Sequence, residues 1–230
     1  MNNKSLPLVL ACAAAFAVSA CDKKTDTAQA PAAAPAQTMP TAAANPALLS
    51  PEAANAKAPD VYKVKLATTK GDMTVEVRRA WSPNGADRFY NLVKIGYYDD
   101  TAFFRVVDGF MAQIGIHGDP AVNAKWRPAT ISDDPAAGQS NKPGFLTFAK
   151  TGAPNSRTTQ IFFNFGNNGF LDPQGFTPFG RIVDGEAVLG QIHRGYGEAP
   201  DQGALQMQGN SYLKASFPNL DYIKSARLIP

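Results

Sequence analysis

The chain has 230 residues and a formal charge of +3, from 22 basic and 19 acidic side chains. That balance gives no electrostatic case for nucleic acid, and no basic stripe runs along the chain. It has two histidines, far apart, and two cysteines, both near the N-terminus, which argues against a structural zinc site or a disulfide framework.

Residues 1–20 read as an export signal. Lys4 supplies a positive start, and the apolar run 8–18 is too short to span a bilayer but suits the centre of a signal peptide. The run ends in Val18-Ser19-Ala20-Cys21, which resembles the lipobox cleaved before its Cys by the lipoprotein signal peptidase. The resemblance implies that Cys12 is discarded and that Cys21 becomes a lipidated N-terminus. No free thiol would then remain in the domain, as suits an oxidising compartment. An ordinary secretory signal cut at a small residue is the alternative. Acyl chains on Cys21 would anchor the protein at a membrane, each buried CH₂ contributing roughly 0.8 kcal/mol. Asp22 resembles the signal that retains enteric lipoproteins in the inner membrane. The expected location is therefore the cell envelope, on a membrane, facing the periplasm.

Residues 21–60 follow as a disordered tether carrying that Cys at its start. Ala, Pro and Thr dominate, in segments such as Ala30-Pro31-Ala32-Ala33-Ala34-Pro35. Proline blocks helix propagation and little in the segment can bury itself. As a coil it would span roughly 35 Å and hold the domain off the membrane.

Aromatic residues concentrate in 61–230, enough chain for one domain with a proper core. Val64 and Leu66, then Met73, Val75 and Val77, alternate with polar residues around Thr69-Lys70-Gly71-Asp72, which predicts a β-hairpin with one buried face. Ser82-Pro83 marks a helix start with Ser as N-cap. Ala86, Phe89, Leu92 and Val93 share a face of that helix, and Gly96 ends it. Strands are predicted at 103–107, 111–114, 145–148, 161–164, 179–183 and 220–229, with a short second helix at 186–192. This pattern predicts an all-β fold, a closed antiparallel barrel of about eight strands capped by two helices.

The segment from Phe103 through Arg105, Gly109-Phe110-Met111 and Gln113 resembles the cyclophilin signature. Gly144-Phe145-Leu146-Thr147-Phe148-Ala149, with Asn155 and Thr159-Gln160-Ile161-Phe162-Phe163, is a second matching block. A third runs from Phe170-Leu171-Asp172 to Phe176-Thr177-Pro178-Phe179-Gly180-Arg181. The three blocks stand in family order, and the likeness extends from about Tyr62 to Ile229.

The resemblance implies a cyclophilin-like barrel and peptidyl-prolyl cis/trans isomerisation without a cofactor or metal. Its partners would be proline-containing polypeptides, exported or envelope proteins met by a monomer. It implies that Arg105 is the catalytic donor and that Gln113 orients it and binds substrate backbone. Phe110, Met111, Phe162, Leu171 and Phe176 would form the proline slot, with Phe170 and Gln160 beside it. Ala149 and Lys150 would pair their backbone with the peptide, as an added strand does. Several positions depart from the family pattern. Phe104 and Phe176 stand where His is frequent, Lys150 where Asn is usual and Phe170 where Trp is often found. Pro173-Gln174-Gly175 belongs to a loop one residue longer than usual. These changes bear on substrate preference and inhibitor binding more than on catalysis. The stretch 195–219 resembles a bacterial branch of the family and receives no role.

From the residues alone, Phe110, Met111 and Phe162 could be ordinary core, and Arg105 a surface or salt-bridge residue. His117 and His193 read as structural or solvent-exposed. The rival function is a proline-peptide-binding chaperone module with little turnover, although such a binder would not need the Arg105–Gln113 pair. If Cys21 carries the anchor, Cys21→Ser should release the protein from membranes and leave the domain folded. Fractionation after a salt wash measures this, and retention of the variant on the membrane would contradict the anchor.

Overall fold

The computed structural model describes residues 45–230. The expected signal peptide, the lipidated Cys21 and the tether up to residue 44 lie outside those residues.

The predicted hairpin is formed by β1 (Val61–Thr68) and β2 (Gly71–Arg78), in register from Val61 opposite Arg78 to Thr68 opposite Gly71. Val64, Leu66, Met73, Val75 and Val77 are all buried, the face the alternation marks out. Helix α1 (Pro83–Ile95) ends at Gly96, whose φ of 78° is the left-handed geometry that glycine adopts freely. Ser82 occupies the N-cap position but does not cap the helix. Its hydroxyl donates to Asp134, and that carboxylate instead accepts from the backbone N–H groups of Asn84 and Gly85, at 2.9 Å each. A side chain distant in sequence thus satisfies the helix donors that have no intrahelical partner.

The stretch predicted as one strand at 103–107 divides into β3 (Thr101–Ala102) and β4 (Arg105–Val107). The chain then forms β5 (Met111–Ile114), α2 (Pro120–Trp126), β6 (Phe145–Phe148), β7 (Ile161–Asn164) and β8 (Pro178–Asp184). It continues through α3 (Glu186–Leu189), α4 (Gln202–Gln208), α5 (Asn210–Ser216) and β9 (Tyr222–Ile229). Nine strands form one sheet in the order β3-β9-β1-β2-β8-β6-β7-β5-β4, and every pairing is antiparallel. The two end strands, β3 and β4, are consecutive in the chain, so Phe103-Phe104 covalently joins the ends of the sheet. β3 pairs with β9 and β4 with β5, and this change of partner is what splits the predicted strand. The described residues thus hold one strand and three α-helices more than predicted, and α3 is shorter than the segment 186–192.

Inside the sheet, Phe89 of α1 packs with Phe179, which in turn packs with Phe148, both pairs at 5.1 Å between ring centroids. A smaller apolar cluster outside the barrel joins Phe104 and Ile116 to Leu205 of α4, Leu213 of α5 and Leu220. The turn between these helices is Gly209, where a Cβ would collide with the carbonyl oxygen of Gly118.

Residues 45–60 correct the boundary expected at Val61. Two 3₁₀ turns, Pro46–Leu49 and Pro51–Ala53, lie against the domain, with Leu48 and Ala54 packed on the core and Ala58 buried in it. Trp126 is 1% exposed and donates its indole N–H to the Leu48 carbonyl at 2.8 Å. The Arg88 guanidinium lies 5.3 Å from the centre of its ring. Asn91 donates to the carbonyl of Ala56 at 2.7 Å and accepts from its N–H at 3.0 Å, and Asp87 accepts from Ala58 N–H at 2.8 Å. Side chains of the domain thus supply the backbone partners that an Ala/Pro-rich strip lacks. A chain shortened to begin at residue 61 should therefore be less stable than one beginning at 45, by about 1–3 kcal/mol for the orphaned groups. Urea unfolding of the two forms measures the difference, and equal midpoints with equal slopes would contradict it.

Candidate active site

The site is built on the outside of the barrel wall, where β4, β5 and β7 lie side by side. Arg105 stands opposite Gln113, and Gln113 opposite Phe162. Alternation along a strand then sends neighbours to opposite faces. Val106, Ala112, Ile114, Ile161 and Phe163 join the barrel core. Met111 and Phe162 instead form a separate apolar cluster with Leu171, against which Phe110, Ala149 and Phe176 pack.

These residues enclose a cleft of about 570 Å³. Met111, Phe162 and Leu171 are its buried apolar floor. Phe176 meets Phe162 edge-on, at 6.1 Å and 66°. Two backbone devices hold the walls in place. Asn168 donates from its side chain to the Phe110 carbonyl at 2.8 Å. Asn141 donates both to Asp172, at 2.7 Å, and to the carbonyl of Phe176, at 2.8 Å. Burial would raise the pKa of Asp172, but hydrogen bonds from Ser140 and Asn141 outweigh it and hold the carboxyl below its ordinary pKa. The loop that presents Leu171 and Phe176 is thereby pinned on both sides of Asp172.

Arg105 is the charged member of the cleft. Its Nη1 donates to Gln113 Oε1 at 3.1 Å, and the same nitrogen lies 3.9 Å from Met111 Sδ. Gln113 in turn donates from Nε2 to Gln160 Oε1 at 2.7 Å. This polar chain runs across three adjacent segments and sets the guanidinium at the edge of the apolar floor.

Ala149 and Lys150 line the cleft, and Ala149 N–H donates to the Gln160 carbonyl at 2.9 Å. The Lys150 side chain does more than the expected backbone role requires. Its ammonium lies 5.6 Å from the Phe176 ring centre and 3.8 Å from Asp133. Phe170 is not brought into the cleft. It is 59% exposed and stacks on Phe110 at 6.0 Å between ring centroids, so any role it has is at the rim. His117 accepts from Asp119 N–H and packs on Tyr97, while His193 packs on Tyr196. Desolvation pushes the His117 pKa below the ordinary value. Among the described residues no three His, Cys, Asp or Glu side chains gather as a metal site.

Sequence reasoning missed the contribution of the segment 195–219. Glu198 accepts from Arg105 Nε at 2.7 Å and pairs with Nη2 as well. Gln202 and Gln206 of α4, with Arg127, extend the polar end of the cleft. The resemblance of this stretch to a bacterial branch assigned these residues no role, because contacts distant in sequence bring them to the site: the packing of Leu205 and Leu213 in one cluster with Phe104, and the bond from Val106 N–H to the Gly197 carbonyl.

Residues 63–208 match the family described as cyclophilin type peptidyl-prolyl cis-trans isomerase/CLD. A peptidyl-prolyl cis-trans isomerase of Acinetobacter baylyi is 32% identical over 133 residues, covering 56% of this chain and 70% of the relative. Peptidyl-prolyl cis-trans isomerase B of Escherichia coli is 32% identical over 132 residues, covering 54% and 80%. A Cryptosporidium parvum cyclophilin type isomerase crystal structure superposes with a TM-score of 0.55 at 22% identity, over 74% of this chain and 98% of that one. The chain belongs to the cyclophilin-type peptidyl-prolyl cis-trans isomerases.

Proposed function

We propose that this isomerase turns over X–Pro bonds in the cleft beside Arg105, with exported or envelope proteins as its clients. Rotation about an X–Pro bond breaks amide conjugation; the barrier for a peptide bond is roughly 18–20 kcal/mol. In the twisted state the prolyl nitrogen regains a lone pair and becomes a hydrogen-bond acceptor. A donor held at that position stabilises the transition state more than either planar isomer, which is what lowers the barrier.

The observation that carries the assignment is the placement of Arg105 Nη1. It is held by Gln113 at 3.1 Å, yet its other close neighbour is only the thioether of Met111 on the slot floor, at 3.9 Å. A thioether is a weak acceptor, so a twisted prolyl nitrogen can replace it at little cost. The ring itself would rest on Met111, Phe162 and Leu171 between Phe110 and Phe176. A related Cryptosporidium parvum cyclophilin was crystallised in the presence of the dipeptide Ala-Pro, in keeping with a slot for proline. No proton transfer or covalent intermediate is required. The envelope setting rests on the export signal read in residues 1–20 and on Cys21, which would place the enzyme where newly exported chains fold. Uncatalysed prolyl isomerisation takes tens to hundreds of seconds and can limit folding there.

Arg105→Ala should lower turnover about ten- to hundredfold, the loss of one charged hydrogen bond in the transition state, with a smaller effect on peptide binding. Arg105→Lys should rescue poorly, since a point charge cannot replace the planar fork. Phe110→Ala should chiefly weaken binding. Its stability loss should stay below the roughly 3–5 kcal/mol of a fully buried ring, because Phe110 is half-buried. Exchange spectroscopy on a short X–Pro peptide, with binding measured separately, distinguishes these outcomes. Near-wild-type exchange by Arg105→Ala would remove Arg105 from catalysis, and a slow wild type as well would favour a peptide-binding module.

A further inference from the structure

One interaction of Arg105 comes from outside the barrel. Glu198 Oε1 accepts from Nε at 2.7 Å and also pairs with Nη2, so a single carboxylate oxygen bridges one edge of the guanidinium. The opposite corner, Nη1, faces Gln113 and the slot floor. A lone hydrogen bond to Gln113 fixes one nitrogen but leaves the plane of the group free to turn. A second acceptor on the Nε/Nη2 edge fixes the plane.

The segment carrying Glu198 is built to hold it still. Val106 N–H donates to the Gly197 carbonyl at 3.0 Å, which ties the residue before Glu198 to the residue after Arg105. Gly197 adopts a φ of 52°, and its N–H donates to the Arg194 carbonyl at 3.0 Å. Just upstream, Arg194 pairs with Asp108 and lies 4.8 Å from the Phe165 ring centre. Tyr196 packs edge-on against His193, at 4.9 Å, and Phe217, at 5.1 Å. Just downstream, Ala199 N–H closes a turn on the Tyr196 carbonyl at 2.8 Å. The Glu198 side chain is 62% exposed, so nothing in the packing of the core requires a carboxylate here.

We propose that Glu198 is a positioning residue for the isomerase reaction, locking the Arg105 guanidinium in the plane that presents Nη1 to the twisted prolyl nitrogen. The proposal rests on the assignment of Arg105 as the donor. Catalytic groups lose much of their effect when their orientation drifts by more than about 10–20°, and an unrestrained arginine samples many rotamers. Solvent around the carboxylate screens its charge, so the guanidinium keeps most of its field at the slot while gaining a fixed orientation.

The test is exchange spectroscopy on an Ala-Pro peptide, with kcat and KM resolved, for wild type, Glu198→Ala, Glu198→Gln, Arg105→Ala and the Arg105→Ala/Glu198→Ala double variant. Glu198→Ala should lower kcat three- to thirtyfold and leave KM within about twofold. Glu198→Gln keeps an acceptor oxygen and should recover part of the loss. The double variant should be no slower than Arg105→Ala, because Glu198 acts only through that group. The Arg105 Nε–H resonance should be protected in wild type and exchange faster in Glu198→Ala. Turnover by Glu198→Ala equal to or above wild type would overturn the proposal, as would an equal loss in the Arg105→Ala background. If Arg105→Ala itself is fully active, the donor assignment fails first, and the role of Glu198 falls with it.

Discussion

The site depends on the register of three neighbouring strands. Arg105 on β4, Gln113 on β5 and Phe162 on β7 form one cross-strand row. A slip of one residue in either pairing would turn every side chain of the moved strand to the opposite face. Met111 and Gln113 would enter the barrel, and Ala112 and Ile114 would face the peptide. The register is enforced from the inside, where Val106, Ala112, Ile114, Ile161 and Phe163 are all buried in the core. The apolar packing that stabilises the barrel is therefore also what sets the spacing between donor, orienting amide and slot floor.

Around that row, polar side chains hold the loops that the sheet cannot reach. Arg157 is 2% exposed and pairs with Asp134 at 2.9 Å, while also donating to the Ser132 carbonyl. Asp134 in turn caps α1 through Asn84 and Gly85. A buried ion pair of this kind adds little net stability compared with apolar packing, since both charges lose their hydration. Its effect here is positional. It fastens the segment leading from Lys150 to Gln160, one wall of the cleft, to the first turn of the main helix. Asp172 does the equivalent for the opposite wall through Ser140 and Asn141. Both walls are thus set by carboxylates that accept several hydrogen bonds each.

What could be read in advance follows from how each element is buried. The β1–β2 hairpin exposes one face, so its alternation was visible, and α1 declared itself through Pro83, its apolar stripe and Gly96. β5 and β7 are buried on both faces, one by the core and the other by the slot. Their residues consequently show no period, and which of them face the peptide came from resemblance alone. Helices α2, α4 and α5 span seven residues each, too short for a helical period to stand out from the background. The strip 45–60 looked like tether because its composition is Ala/Pro-rich, and its partners, Trp126, Asn91 and Asp87, are distant in sequence. Phe170 was placed beside the slot by resemblance, and the 3₁₀ turn at Gly169–Gln174 sets Leu171 in the slot floor and leaves Phe170 stacked on Phe110.

The departure at Phe104 connects these points. Phe103 belongs to the barrel core, whereas its neighbour Phe104 is buried in the cluster formed by α4, α5 and the chain leading to β9. A polar residue at 104 would put an unpaired polar group in that buried apolar cluster, which is costly. Because Phe104 directly precedes Arg105, the C-terminal helices are seated one residue away from the donor. That adjacency helps explain how a segment to which the resemblance assigned no role comes to supply the carboxylate on the guanidinium and the amides at the polar end of the cleft. The barrel wall provides the floor and the donor, and the helical appendage provides the contacts that orient the donor's far edge. Residue 104 and Glu198 are thus linked twice, through the packing of Leu205 and Leu213 in one cluster with Phe104 and through the bond from Val106 of β4 to the Gly197 carbonyl.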